Sequence, residues 1–91
     1  MEEYKVGTVF ELYEDDHQRY IVLNSLDKES IVYLLVAPMS DQNGEYKVRY
    51  DETFVLNIDK KTEEIEYVED EQIVGEVIDD FFAKDISQSE N

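Results

Sequence analysis

The sequence has no cysteine and no tryptophan, one histidine, one proline and three glycines in 91 residues. Without cysteine the chain can form neither a disulfide framework nor a thiolate metal site, and it has no thiol nucleophile. A Ser-His-Asp arrangement has only one possible base, His17. Three glycines do not supply a phosphate-cradling loop. These absences exclude redox chemistry of the protein's own and argue against most enzyme classes.

Basic residues are also scarce. Eight Lys and Arg stand against 24 Asp and Glu, which gives a formal net charge of -16 at pH 7. Because affinity for phosphates comes from Lys and Arg, we expect no direct binding to nucleic acid or to an anionic membrane surface. The longest apolar run, residues 31–38, is far shorter than the ~20 residues that span a bilayer. The N-terminal residues do not resemble a signal peptide, so we expect a cytoplasmic protein.

Apolar residues are nevertheless numerous enough for a core. The chain is 42% hydrophobic and contains seven Tyr and four Phe, which separates it from intrinsically disordered acidic chains. We expect a single small acidic domain over residues 1–84 and a flexible, polar C-terminal tail over residues 85–91. A core of this size argues against a deep, enclosed catalytic pocket.

Alternation of apolar and polar residues predicts antiparallel strands. We expect Pro38 to end the central strand, and Asn43-Gly44 is the strongest tight-turn signal. Tyr46 and Tyr50 in one strand, and Ile65 and Tyr67 in another, are predicted to face the core. The predicted strands cover residues 5–13, 20–26, 30–37, 46–50, 54–58 and 63–68.

The last element has a helical period. Six apolar residues recur on one broad stripe, and Asp70 is the predicted N-cap. The stripe consists of Ile73, Val74, Val77, Ile78, Phe81 and Phe82. We therefore predict an α+β fold: a curled antiparallel sheet of five to six strands, which at its most curled would approach a small SH3-like barrel, with one C-terminal amphipathic helix.

Carboxylates are concentrated near this helix. From Thr62 to Ala83 the chain has nine Asp and Glu and no Lys or Arg. We expect Glu76, Asp79 and Asp80 to lie on the outer face of the helix, clear of the apolar stripe. The residues predicted to bind a partner are Glu64, Glu66, Glu69, Glu71, Glu76, Asp79 and Asp80.

The order of these segments resembles the YrzB-like family of small acidic proteins of Gram-positive bacteria and their phages. The resemblance lies in Val6–Tyr13, Arg19–Leu23, Ile31–Pro38, Ile65–Val74 and Val77–Phe82. The family has no assigned activity, so the resemblance implies no catalytic residues. It implies a protein of the bacterial or phage cytoplasm.

The leading functional prediction is a non-enzymatic protein-interaction domain, without a cofactor, that binds a protein with a basic surface. One alternative is a nucleic-acid mimic of the phage anti-defence type, in which a row of carboxylates imitates DNA phosphates. A second is a weak carboxylate-metal hydrolase built near Asp15, Asp16 and His17. The simplest interpretation of the same charges is a solvated acidic face without a binding function. The edge strand over residues 46–50 could also pair in a homodimer.

Overall fold

A computed structural model describes residues 5–12 and 18–89, with the side chains of Leu12, Gln42 and residues 85–89 left out of the description. Within these residues the chain forms six antiparallel strands, a short 3-10 helix and one α-helix. The elements are β1 (Val9–Leu12), β2 (Gln18–Asp27), β3 (Ile31–Gln42), β4 (Glu45–Val48), the 3-10 helix (Tyr50–Glu52), β5 (Phe54–Asp59), β6 (Ile65–Tyr67) and α1 (Glu71–Ser89).

The strands form one open antiparallel sheet. Its order is β1-β2-β3-β5-β6, and β4 pairs with the last part of β3. The central strand β3 is buried from Val32 to Ala37, as its continuous apolar run predicts. The predicted α+β class, with an antiparallel sheet of five to six strands and one C-terminal helix, is confirmed. Over the described residues the sheet does not close, so the suggested SH3-like barrel is wrong.

Pro38 does not end the central strand, contrary to our expectation. β3 continues through it to Gln42, because β3 changes partners there: β5 pairs as far as Val36 and β4 pairs from Met39 onward. The Pro38 carbonyl accepts a hydrogen bond from the backbone N–H of Arg49 at 2.8 Å. Proline has no backbone N–H to donate, and Pro38 lies between the last residue paired with β5 and the first paired with β4. The strand pairing on this side of β3 is interrupted at this position, so the lost donor is tolerated there.

The turn between β3 and β4 is the predicted one. Asn43 and Gly44 have φ angles of 56° and 83°, the left-handed pair that a two-residue hairpin turn requires. The predicted facing of the next strand is wrong, since Tyr46 is 46% and Tyr50 65% exposed. Of the strands that the structure describes, β4 pairs only with the end of β3. Tyr46 instead packs under the Arg19 guanidinium, 4.7 Å from the ring centroid.

The core has two sides, divided by the alternation of side chains along β2, β3 and β5. One side, the helix face, is covered by α1, and the other is the opposite face. The helix face centres on Tyr33, Leu35, Val55 and Val77. The opposite face consists of Val22, Val32, Leu34, Val36, Leu56 and Ile58, with Phe10 and Phe54 packed against them.

Strand β6 was expected to bury Ile65 and Tyr67, and the structure corrects this. Both lie on the opposite face at the sheet edge and are 40% and 59% exposed. Among the described strands β6 pairs with β5 alone, so only one flank of β6 has a neighbouring strand there. The Tyr67 ring still contacts that of Phe54, with centroids 5.4 Å apart.

The helix begins as predicted. The backbone N–H of Gln72 donates to the Asp70 carboxylate at 2.9 Å, which is the N-cap bond expected at this position. Ile73, Val74, Ile78 and Phe81 pack with Val77 against the helix face. Phe82 does not join them and is 55% exposed. The helix continues to Ser89, and the flexibility of residues 85–91 stays a prediction.

Candidate functional site

The seven predicted binding carboxylates do not form one surface. Two have lysine partners: the Lys28 ammonium lies 2.6 Å from Glu76, and that of Lys84 lies 2.9 Å from Asp80. The hydrogen bond to Glu76 raises the pKa of Lys28. The other five are exposed and form no ion pair with any residue of the described chain: Glu64, Glu66, Glu69, Glu71 and Asp79.

Asp80 has a structural position, not the solvent-facing one we expected. Its carboxylate accepts a hydrogen bond at 2.9 Å from the carboxamide of Asn24, which is only 1% exposed. The same carboxamide nitrogen donates to the Val77 carbonyl at 3.3 Å, and its oxygen accepts from Lys84 at 3.0 Å. The hydrogen bonds from Asn24 and then Lys84 hold the pKa of Asp80 below its ordinary value. These hydrogen bonds link α1 to β2.

A bulge in β2 makes this network possible. Val22 pairs with Val36 but Asn24 pairs with Leu35, so Leu23 is an extra residue in the strand. Regular alternation would place Asn24 on the opposite face with Val22, inside an apolar core. The bulge moves it to the helix face instead. Asn24 was not among the residues predicted from the sequence, although it is a carboxamide inside the apolar run of residues 20–26.

Glu64 and Glu66 border a small acidic depression on the helix face, of about 110 Å³, together with Asn57 and Asp59. The Asp59 carboxylate is engaged within the protein, because it accepts hydrogen bonds from the backbone N–H groups of Lys61 and Thr62 at 2.8 Å and 3.0 Å. These bonds lower its pKa. Within the described residues no group of three acidic or histidine side chains is arranged to hold a metal ion.

Four of these five unpaired carboxylates are close together in the sequence, and we call them the acidic strip: Glu64, Glu66, Glu69 and Glu71. Glu64 precedes β6, Glu66 lies in β6, Glu69 lies in the linker and Glu71 lies in the first turn of α1. The first turn is a favourable place for Glu71, because the partial positive charge of a helix N-terminus stabilises a carboxylate. Glu64, Glu66 and Glu69 form no ion pair in the described structure.

A second surface feature is the apolar groove between α1 and the 3-10 helix. Its volume is about 300 Å³ and its floor is the helix face of the sheet. Phe82 and Tyr50, on its two walls, are 55% and 65% exposed. Both residues were predicted to face the core. Phe81 does so, but a sheet under a single helix cannot also cover the adjacent Phe82. The groove is lined mainly by Leu23, Leu35, Tyr50, Ile78, Phe81 and Phe82.

The predicted metal cluster of Asp15, Asp16 and His17 lies outside the described residues, and the hydrolase built on it stays a prediction. In the described part of the chain, no helix is both long and apolar enough to cross a membrane.

No protein-family model matches this sequence, and neither a curated protein nor a solved structure matches it. The resemblance to the YrzB-like family therefore stays a prediction.

Proposed function

We propose that this protein is a non-enzymatic interaction domain that binds a basic surface of another protein. The observation that carries the proposal is the acidic strip, four exposed carboxylates between residues 64 and 71 that form no ion pair in the described structure. Uncompensated charge of one sign destabilises a compact state through self-repulsion. A cationic partner would relieve that repulsion and would be steered toward the strip from a distance.

The distribution of basic side chains supports this proposal. Within the part of the chain that the structure describes, five of the eight Lys and Arg form ion pairs, all with carboxylates outside the strip: Arg19, Lys28, Arg49, Lys60 and Lys84. Solubility alone would be served by charges spread over the surface. In this protein basic side chains pair with carboxylates on β2, on the 3-10 helix and on the side of α1 that faces β2. The carboxylates of the strip have no such ion pairs in the described structure. Charges placed this way suit directional attraction of a partner.

The non-enzymatic part of the proposal follows from the site's environment. The strip is exposed to water, where carboxylates keep ordinary solvation and lack the dry, preorganised surroundings that make them effective acids, bases or ligands. The nucleic-acid mimic receives less support, because two of the four carboxylates that its row places on α1, Glu76 and Asp80, form ion pairs with lysines. We keep it as the alternative that a DNA-competition assay on an identified partner would test.

The proposal is tested with a fluorescein-labelled synthetic peptide rich in Lys and Arg, titrated with the protein and followed by anisotropy. Glu66→Gln/Glu69→Gln removes two strip charges. The matched control, Glu29→Gln/Glu45→Gln, removes two exposed carboxylates that form no ion pair in the described chain. At about 0.5–1 kcal/mol per exposed charge, the strip variant should bind about tenfold more weakly, with a smaller change in the control. Equal losses for both variants would contradict the proposal.

A further inference from the structure

We propose that the apolar groove receives a large apolar side chain from a basic segment of the partner protein, such as Leu or Phe flanked by Lys or Arg. This inference rests on the proposed function, since it requires a cationic partner, and adds where and by what chemistry the partner is anchored. The acidic strip attracts the segment, and the groove holds it.

The groove has the size and lining of an anchor site. A volume of about 300 Å³ lies at the lower end of the range for ligand pockets, enough for one side chain and not for an extended ligand. Phe82 and Tyr50 keep more than half of their surface in water. Burying such aromatic residues around an inserted apolar side chain is the typical arrangement of an interface hot spot.

A glycine, Gly75, lies on the same face of α1 as the groove residues Ile78 and Phe82. Gly75 precedes Phe82 by seven residues and Ile78 by three, spacings that share one helix face. Nothing lies within 4 Å of the position that a Cβ would take there, so internal packing does not require glycine, which weakens a helix. A backbone without a side chain on this face of α1 allows close approach of another chain.

The charges around the groove select a cationic segment. Asp79, between Ile78 and Phe82 along the helix, is exposed and unpaired within the described structure. On the other wall, Asp51 and Glu52 outnumber Arg49, which lies 3.6 Å and 3.1 Å from them. The rim is therefore anionic. A second copy of this chain would bring two charges of -16 together, so we assign the groove to a basic partner instead.

The test is selection from a phage-displayed library of randomised 12-residue peptides on the immobilised full-length protein, followed by anisotropy titrations of the enriched peptides. The variants are Phe82→Ala and Tyr50→Ala. The control is Tyr67→Ala, an aromatic residue of similar exposure, 59%, on the opposite face of the sheet. Because all three side chains are largely exposed, circular dichroism should show folded variants.

The expected result is enrichment of peptides with a large apolar residue beside Lys or Arg. Their affinity should fall about tenfold or more in Phe82→Ala and Tyr50→Ala and little in Tyr67→Ala. Basic peptides without a shared apolar position, indifferent to Phe82→Ala, would overturn the groove and leave the proposed function standing. No enrichment at all would overturn both. A wild-type dimer in sedimentation that Phe82→Ala dissociates would assign the groove to self-association.

Discussion

Asn24 shows how a single polar residue determines where the helix sits. It is a fully buried polar side chain among the described residues, and its carboxamide has partners for both its nitrogen and its oxygen. Such a group stabilises a particular arrangement more than it stabilises folding in general, because any shift of α1 along β2 would leave it unsatisfied.

Replacing Asn24 with Ala should lower the free energy of unfolding by about 1–3 kcal/mol, because Asp80 and Lys84 lose a partner and a cavity forms in a buried site. Urea unfolding followed by circular dichroism measures the change. Asn57→Ala is the control, since Asn57 is only half-buried on β5, and we expect a smaller loss. Equal losses would show that the network adds nothing specific.

The acid response of the fold should depend on Asp80. Its pKa in the folded protein is lowered from an ordinary value of 3.8 by hydrogen bonds from Asn24 and Lys84. A lowered folded-state pKa gives stability that is present above the unfolded-state value and lost as pH falls through the folded-state value. Wild type should therefore be more stable than Asp80→Asn at about pH 7, and the difference should shrink below about pH 4. A difference that stays constant down to about pH 2 would contradict this assignment.

At the scale of elements, the strands and helix that bury apolar residues were predicted well. β3, β5 and α1 follow their periodicity, whereas β2 follows it only as far as the bulge at Leu23. The Asp70 cap and the Asn43-Gly44 turn depend on local chemistry that is readable in the sequence. What was missed depends on neighbours. Exposure of Tyr46, Tyr67 and Phe82 reflects what lies next to β4, β6 and the far side of α1, and periodicity cannot show whether a second layer covers a face.

The candidate site was predicted in part for the same reason. Carboxylate density located the acidic strip, since exposed charge needs no tertiary partner to be recognised. The pairing of Asp80 depends on a bulge in β2, more than fifty residues away, and a one-residue register shift leaves no periodic signal. The groove was missed because Phe82 and Tyr50 have the patterning of core residues.

A substitution at Gly75 in α1 should change stability and binding in opposite directions. Gly75→Ala should stabilise the protein by about 1 kcal/mol, because alanine is the better helix former and its Cβ meets nothing within 4 Å. The same methyl group should weaken binding of peptides that use the apolar groove. Thermal unfolding and anisotropy measure the two effects. As a control, Gln72→Ala, at an exposed position in the first turn of α1, should leave binding unchanged. Unaltered binding in Gly75→Ala would separate this residue from the groove.

The whole molecule combines a modest core with a charge of -16. Attraction of a basic partner by such a surface is screened by salt over about 10 Å at 0.1 M, whereas the apolar anchor is not. Added salt should therefore weaken binding by slowing association and have a smaller effect on dissociation. The same charge opposes the homodimer that the predicted edge strand over residues 46–50 suggested, so we expect a monomer at low salt in sedimentation velocity.

The most direct measurement is a titration of ¹⁵N-labelled protein with a Lys- and Arg-rich peptide that contains one Leu or Phe, followed by two-dimensional NMR. The account predicts saturable shifts at the amides of the acidic strip and around the apolar groove, near Glu66, Glu69, Ile78 and Phe82. It also predicts almost none on the β3-β4 hairpin, near Asn43. Shifts centred on that hairpin, or the absence of any saturable shift at low salt, would contradict the claim that this domain binds basic partners through its acidic strip.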